Sequence, residues 1–282
     1  MWKHCICLGT SNQFGESVEE QIRLFQKIGF DGFFTGYTNR MDIAKYREIA
    51  DETGMFFQSI HAPFERMNEM WENGDAVVAE LIDCLHACAE NQVPIMVVHV
   101  FIGFNDHTPN EIGLRNFEKV VKEAEKLGVK VAFENTEGEE YLAAVMEYFK
   151  DSPAVGFCWD TGHEMCYNYS KDMLALYGDR LISTHLNDNL GIRDFNGEIT
   201  WLDDLHLLPF DGIADWHKIA ERLDCCGFEG PLTFELNRFS KPERLENDFY
   251  KEMPIEKYLT LAYMRACRVA ALRKIRDIKK SK

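Results

Sequence analysis

Short apolar runs alternate with amphipathic stretches along the whole chain. The runs fall at residues 4–8, 31–35, 55–60, 95–100, 129–134, 154–159, 181–186 and 231–236. They are continuously apolar rather than alternating, the pattern of strands covered on both faces. Helical periodicity follows each one, at roughly 17–29, 40–53, 75–91, 110–127, 139–150, 170–178, 214–225 and 251–275. Eight strand–helix units in series predict an α/β fold, a single (β/α)8 TIM barrel over residues 1–282 with an extra C-terminal helical segment.

Punctuation supports these boundaries. Ser17-Val18-Glu19-Glu20 reads as a capping box before a helix that Gly29 closes. Thr108-Pro109-Asn110-Glu111 reads as a second box with proline at the first helical position. Leu114, Phe117, Val120, Val121, Ala124 and Leu127 then form one apolar stripe, ended by Gly128. No linker, low-complexity segment or further repeat divides the chain. The longest interruption, residues 187–213, follows the seventh strand and holds Asn187, Asp188, Asp204, His206 and the turn Pro209-Phe210-Asp211-Gly212. A loop of that length is usually functional, and in a barrel it lies on the face where active sites form.

Charge narrows the partners. With 31 basic and 47 acidic residues the net charge is −16, which disfavours a nucleic-acid backbone. The dense basic run RKIRDIKKSK reads as a solvated helix end. The 46% hydrophobic content can fill a large core, and no apolar run is long enough to span a membrane. MWKHCICLG is too short and polar for a signal peptide. Nine cysteines without a CxxC pair, Cys5, Cys7, Cys158 and Cys225 among them, read as reduced core thiols in a cytoplasmic protein. The C-terminal helix, with Tyr258, Leu261, Met264, Ala271 and Ile275, is expected to cap the barrel or join a homo-oligomer.

The chemistry gathers at strand ends. Glu134, Asp160, His185 and Glu235 each end an apolar run, and neighbouring strands would bring three carboxylates and one imidazole to one divalent ion. Glu134 and Glu235 each follow a phenylalanine, and an unpaired carboxylate there is costly without a cation. No lysine or arginine stands at a strand tail to pair with them, so a metal (Mn, Zn or Mg) is the better partner. Of nine histidines, His61, His99, His163, His185 and His206 fall at or just beyond strand ends. His4, His86 and His217 read as structural, and His107 lies in a loop. A metal on the carbonyl and hydroxyl oxygens of a sugar acidifies the adjacent C–H and stabilises the enediolate. Glu134 and Glu235 would then serve as base and acid. Phe14, Phe64, Trp71, Phe104, Trp201 and Phe210 are candidates for an apolar wall or lid, Trp201 and Phe104 foremost.

The motifs SIHAP at 59–63, FEN at 133–135, DTGH at 160–163, THLND at 184–188, DLHLLPFDG at 204–212 and FEL at 234–236 resemble the xylose-isomerase-like TIM-barrel superfamily. That group includes sugar phosphate isomerases and epimerases, ketose 3-epimerases and AP-endonuclease-type enzymes. The ketose-epimerase pattern implies Glu134, Asp160, His185 and Glu235 as metal ligands, Glu134 and Glu235 as the acid/base pair, and His61 and His163 on substrate. The endonuclease pattern implies a trinuclear zinc cluster, adding His61, His99, His163, Asp204 and His206. Two departures stand out: the family's Pro-Gly-x-Gly is Pro209-Phe210-Asp211-Gly212 here, and an epimerase arginine has only Arg193 as a distant counterpart. The expected function is a divalent-metal-dependent isomerase or epimerase of a sugar, keto-sugar or sugar phosphate. The alternatives are a zinc phosphodiesterase, with zinc favoured if the site is multinuclear, or a lyase or dehydratase on the same scaffold. No glycine-rich phosphate loop is present, so phosphorylation of the carbohydrate is not required.

Overall fold

Each apolar run becomes a strand whose tail points the same way. The computed structural model of the chain describes residues 4–105, 108–192 and 198–280, with side chains through Arg273. His107, Arg193 and the Ile275 side chain lie outside that set. The strands are β1 (Ile6–Gly9), β2 (Gly32–Gly36), β3 (Phe56–His61), β4 (Ile95–His99), β5 (Lys130–Glu134), β6 (Val155–Asp160), β7 (Leu181–His185) and β8 (Leu232–Phe234). All pair in parallel, in the order β7-β6-β5-β4-β3-β2-β1-β8. The ring closes beyond β7, where Leu186 bridges Phe234 and its N–H donates to the Thr233 carbonyl at 2.8 Å.

The helices are α1 (Val18–Ile28), α2 (Arg40–Thr53), α3 (Asp75–Glu90), α4 (Glu111–Leu127), α5 (Glu139–Tyr148), α6 (Thr161–Cys166), α7 (Met173–Tyr177), α8 (Trp216–Cys225) and α9 (Ile255–Lys280). Ser17 and Glu20 form the expected capping box, and Gly29 and Gly128 end α1 and α4 in left-handed conformations. The box before α4 is different: Asn110, not Thr108, caps it, accepting from the Ile112 and Gly113 amides at 3.0 Å. Asparagine wins because its side chain reaches two orphan amides of the first turn. The stretch expected as one helix over 170–178 is shorter, and α6 precedes it, starting on Asp160 itself. All nine cysteines are free, but Cys225 is exposed rather than in the core.

The main apolar core lies between strands and helices, with Phe33, Phe57, Phe117, Phe133, Phe157 and Phe234 fully buried. A smaller cluster of Ile95, Val97, Ala132, Cys158 and Ile182 contributes a separate apolar layer. Among the described residues no helix is long and apolar enough to cross a membrane.

Candidate metal centre

Strand register assembles the polar cluster. His99 pairs with Glu134, Glu134 with Cys158, and Asp160 with His185 across adjacent strands. Because the strands are parallel, these side chains leave the sheet at one level at the carboxyl end of the barrel.

Glu134 is the hub. Its Oε1 lies 2.9 Å from His185 Nδ1 and 3.6 Å from His163 Nδ1. Its Oε2 lies 3.3 Å from His61 Nε2 and 3.4 Å from His99 Nε2. Glu235 Oε2 approaches the same His185 Nδ1 at 3.0 Å, and His206 Nδ1 is 3.9 Å from it. Asp160 accepts the His163 amide at 2.7 Å and the Asn187 side-chain amide at 2.9 Å. His206 Nε2 meets Asp204 at 2.8 Å, with His163 Nε2 3.6 Å from the same carboxylate oxygen. All nine residues singled out from the sequence are therefore in one place. Four ligand groups have their donor atoms mutually within 4.8 Å: His61, His99 and Glu134; Glu134, Cys158 and His185; Glu134, Asp160, His185 and Glu235; and Asp160, His163 and His206.

The hydrogen-bond pattern tests whether a cation fits. His61 Nδ1 lies 2.8 Å from the Ala62 carbonyl, which can only accept, so that nitrogen carries the proton. A neutral His61 then turns the lone pair of Nε2 toward Glu134 Oε2, acceptor against acceptor. His163 repeats this: Nδ1 donates to the Asn135 carbonyl at 3.0 Å, and Nε2 faces Asp204. Glu134 Oε2 is buried without a hydrogen-bond partner among the described residues, with His61 Nε2 and His99 Nε2 facing it at 3.3 and 3.4 Å. Lone pairs converging in a buried space need protons or a cation between them. Hard carboxylate oxygens with imidazoles fit Mn²⁺, Zn²⁺ or Mg²⁺.

Electrostatics agree. Burial would raise Glu134, yet His185, His61 and His99 hold its carboxyl well below the usual range. Deep placement likewise opposes ionisation of Glu235, but His185 and His206 hold it at about 2. Burial lowers His206, but Asp204 and Glu235 outweigh that and raise it to about 9. His163 is raised well above its usual value by Asp160 and Asp204 against the same burial. Desolvation dominates at Asp160, pushing it up to about 6 despite His163. Burial also pushes the Cys158 thiol up to about 12, so it enters as a protonated neighbour of His185.

Above the cluster opens a cavity of about 1010 Å³, lined by His61, His99, His163, Asp204, His206 and Glu235. Glu134, Asp160 and His185 lie beneath it, fully buried. Of the six aromatic candidates, Phe64, Phe104 and Trp201 line this space. The other three do not: Phe14 packs on Phe25 and Tyr258, Trp71 on Phe117 and Tyr141, and Phe210 on Trp216. Phe210 holds a left-handed φ of 75°, the conformation that suits the family's glycine at this turn.

Several site residues lack a strand-end signal. Phe34 stacks on His185 at 4.6 Å between centroids, and Tyr167 stacks on His163 at 4.9 Å. Asn135 clasps the Asp160 backbone from both sides at 2.8 Å. A lysine does reach the cluster, from the loop after β8: Lys241 Nζ lies 3.9 Å from Asp204 and 5.1 Å from the Trp201 ring centre. Asn135 and Asn187 could have been found, since each follows a candidate ligand within a motif.

A parallel eight-stranded barrel with an acid–imidazole cluster at its carboxyl mouth defines a class of (β/α)8 proteins whose side chains there could hold a metal ion. The chain belongs to the xylose isomerase-like TIM barrel family, whose model matches residues 22–253. The uncharacterized protein y4fM of Sinorhizobium fredii (strain NBRC 101917 / NGR234) is 35% identical over 200 residues, 66% of this chain. The chain spans 58% of the length of that relative. Among solved structures, L-ribulose 3-epimerase is 14% identical with a TM-score of 0.71, covering 98% of both chains. The 3-keto-D-glucoside 4-epimerase YcjR from E. coli is 19% identical at TM-score 0.65, covering 91% of this chain and 98% of its own. A D-tagatose 3-epimerase-like protein is 21% identical at TM-score 0.63, with 92% and 98% coverage. These similarities establish the shared fold.

Proposed function

We propose that this chain is a divalent-metal-dependent isomerase or epimerase acting on a sugar or keto-sugar. The observation that carries this reading is the approach of Glu134 and Glu235, from β5 and β8, to one nitrogen of His185 at 2.9 and 3.0 Å below the cavity. Glu134, Asp160, His185 and Glu235 would hold the ion, which when bound supplies a Lewis acid for the substrate's carbonyl and hydroxyl oxygens.

The chain's own residues account for the rest. Glu235 keeps 30% side-chain exposure and lines the cavity, so it is the carboxylate placed to take a proton from carbon. Held at about 2, it is ionised at neutral pH and starts as a base. Glu134, lower in the barrel, is the second proton carrier. His61, His99, His163 and His206 line the cavity where substrate would lie, and Phe64, Phe104 and Trp201 offer an apolar wall to a sugar's C–H face. The nine free thiols suit a reducing cytoplasm.

The test is carbon-bound proton exchange. Metal-loaded protein in D₂O is incubated with L-ribulose, D-tagatose, D-allulose and a 3-keto-D-glucoside, and deuterium next to the carbonyl is read by NMR. Incorporation into at least one is expected; none in any of the four counts against the reading. Loss of water in the same spectra would instead mark a dehydratase.

One observation favours a second reading. The four ligand groups are linked through shared Glu134 and Asp160, as a multinuclear zinc phosphodiesterase of the AP-endonuclease type requires. The net charge of −16 and a cavity with Lys241 as its one lining lysine or arginine among the described residues oppose it. Three zinc ions per chain with nicking of abasic duplex DNA would establish it over the isomerase.

A further inference from the structure

Asp188 lies fully buried just past β7, and no cation pairs with it among the described residues. Four N–H groups do instead. Oδ1 accepts from the Asn189 and Ala214 amides and Oδ2 from the Phe210 amide and the Trp216 indole, all at 2.9 Å. Four donors meet the four acceptor sites of one carboxylate, leaving none for a ligand. The backbone adds an antiparallel bridge, in which Asp188 and Leu207 exchange two hydrogen bonds of 2.9 Å. Next door, the Asn189 side chain donates to the Asp203 carbonyl at 2.9 Å. The turn is built around this carboxylate: a Cβ on Gly212 would stand 2.2 Å from Asp188 Oδ1.

These tethers fall on Asp203, Leu207 and Phe210, flanking Asp204 and His206. The segment between them is conformationally expensive, because His206 and Phe210 both hold left-handed φ values, 50° and 75°. The geometry points to Asp188 as the positioning residue that presents Asp204 and His206 to the cluster and so sets the cation affinity of the group that His206 forms with Asp160 and His163, beside Asp204. The second half of this inference rests on the metal reading above. Asparagine cannot replace the carboxylate: its NH₂ would confront two incoming N–H donors.

The test compares Asp188→Asn and Trp216→Phe, which deletes one of the four donors, with Phe25→Leu, a core control in α1. Hydrogen exchange followed by mass spectrometry is run on metal-free protein, and zinc alone is titrated by calorimetry. Asp188→Asn is expected to speed exchange across residues 203–210 at least tenfold, with β4–β6 unchanged. It should also lose one zinc per chain or bind it at least tenfold more weakly. Trp216→Phe should move both readouts the same way by about threefold, and it carries the comparison if Asp188→Asn does not fold. The control should lower Tm and leave both readouts alone. Exchange over 203–210 no faster than in Phe25→Leu overturns the positioning role. Unchanged zinc count and affinity overturn the link to the cation. If the wild-type protein takes up no zinc, the metal reading fails, and the exchange comparison still decides the role of Asp188.

Discussion

At the scale of single residues, protons and a cation compete for the same lone pairs. Metal binding needs neutral imidazole, yet His206 is raised to about 9 and His163 and His185 well above their usual value. Zinc uptake should therefore release protons, and affinity should fall as pH drops from about 9 toward neutrality. Calorimetry in buffers of different ionisation enthalpy checks this. The sign for stability follows from the same value. A folded pKa of about 9 against about 6.5 unfolded stabilises metal-free protein fully below pH 6.5 and is lost as pH rises through 9. Tm of the chelated protein should fall over that window, and Tm of the loaded protein should change less. Substitution separates the two glutamates. Glu235→Gln should keep weakened metal binding and cut proton exchange by about 10²–10⁴-fold. Glu134→Gln should impair metal binding itself, since that carboxylate faces four imidazoles. All nine cluster residues were legible because each stands at a strand tail or in a loop motif. Phe34 and Tyr167 were not, since an aromatic beside a strand end looks the same whether it stacks on a ligand or fills a core. Lys241 reaches the cluster through a tertiary contact that spacing does not encode.

Elements were legible to the degree that they are long. Apolar periodicity located α1, α3 and α4, but α6 has only six residues and carries the DTGH motif, whose polar character masks a helix. Its start is chemical: the Asp160 side chain caps it through the His163 amide, so a cluster residue also fixes the direction of the chain leaving β6. Packing adds constraints that periodicity does not reveal. Gly113 in α4 looks like a weak point, and alanine there would gain about 1 kcal/mol of helix propensity. In the fold, however, a Cβ on Gly113 would sit 2.1 Å from the Trp71 ring, and that indole is fixed by a 2.8 Å bond to the Val100 carbonyl. Overpacking of about 1–3 kcal/mol should outweigh the propensity gain. Gly113→Ala is thus expected to lower Tm, and thermal unfolding followed by circular dichroism checks it; an unchanged or higher Tm would show that Trp71 can move aside.

For the whole molecule, eight strand–helix units were readable from end to end, but the quality of ring closure was not. Register shows it. β4 and β5 pair through five residues, whereas β7 and β8 meet through the Leu186–Phe234 bridge. Two backbone hydrogen bonds hold that seam, Leu186 N–H to the Thr233 carbonyl at 2.8 Å and Glu235 N–H to the Leu186 carbonyl at 3.2 Å, and the Thr184 hydroxyl accepts the Thr233 N–H at 3.1 Å. Both backbone bonds lie beside cluster residues, since His185 precedes Leu186 and Glu235 follows Phe234. A cation held jointly by His185 and Glu235 would cross-link the barrel at its shortest seam. Global stabilisation follows from mass action, about 4 kcal/mol at a free ion concentration 1,000 times Kd. For a chain of this size that corresponds to a Tm increase of roughly 10 °C. The local consequence is more diagnostic. Removing metal with a chelator should speed amide exchange at Leu186 and Glu235 far more than at Val131–Phe133 in β5, whose neighbours pair without interruption. Equal acceleration at both places would mean that the ion stabilises the barrel as a whole and leaves its closure untouched.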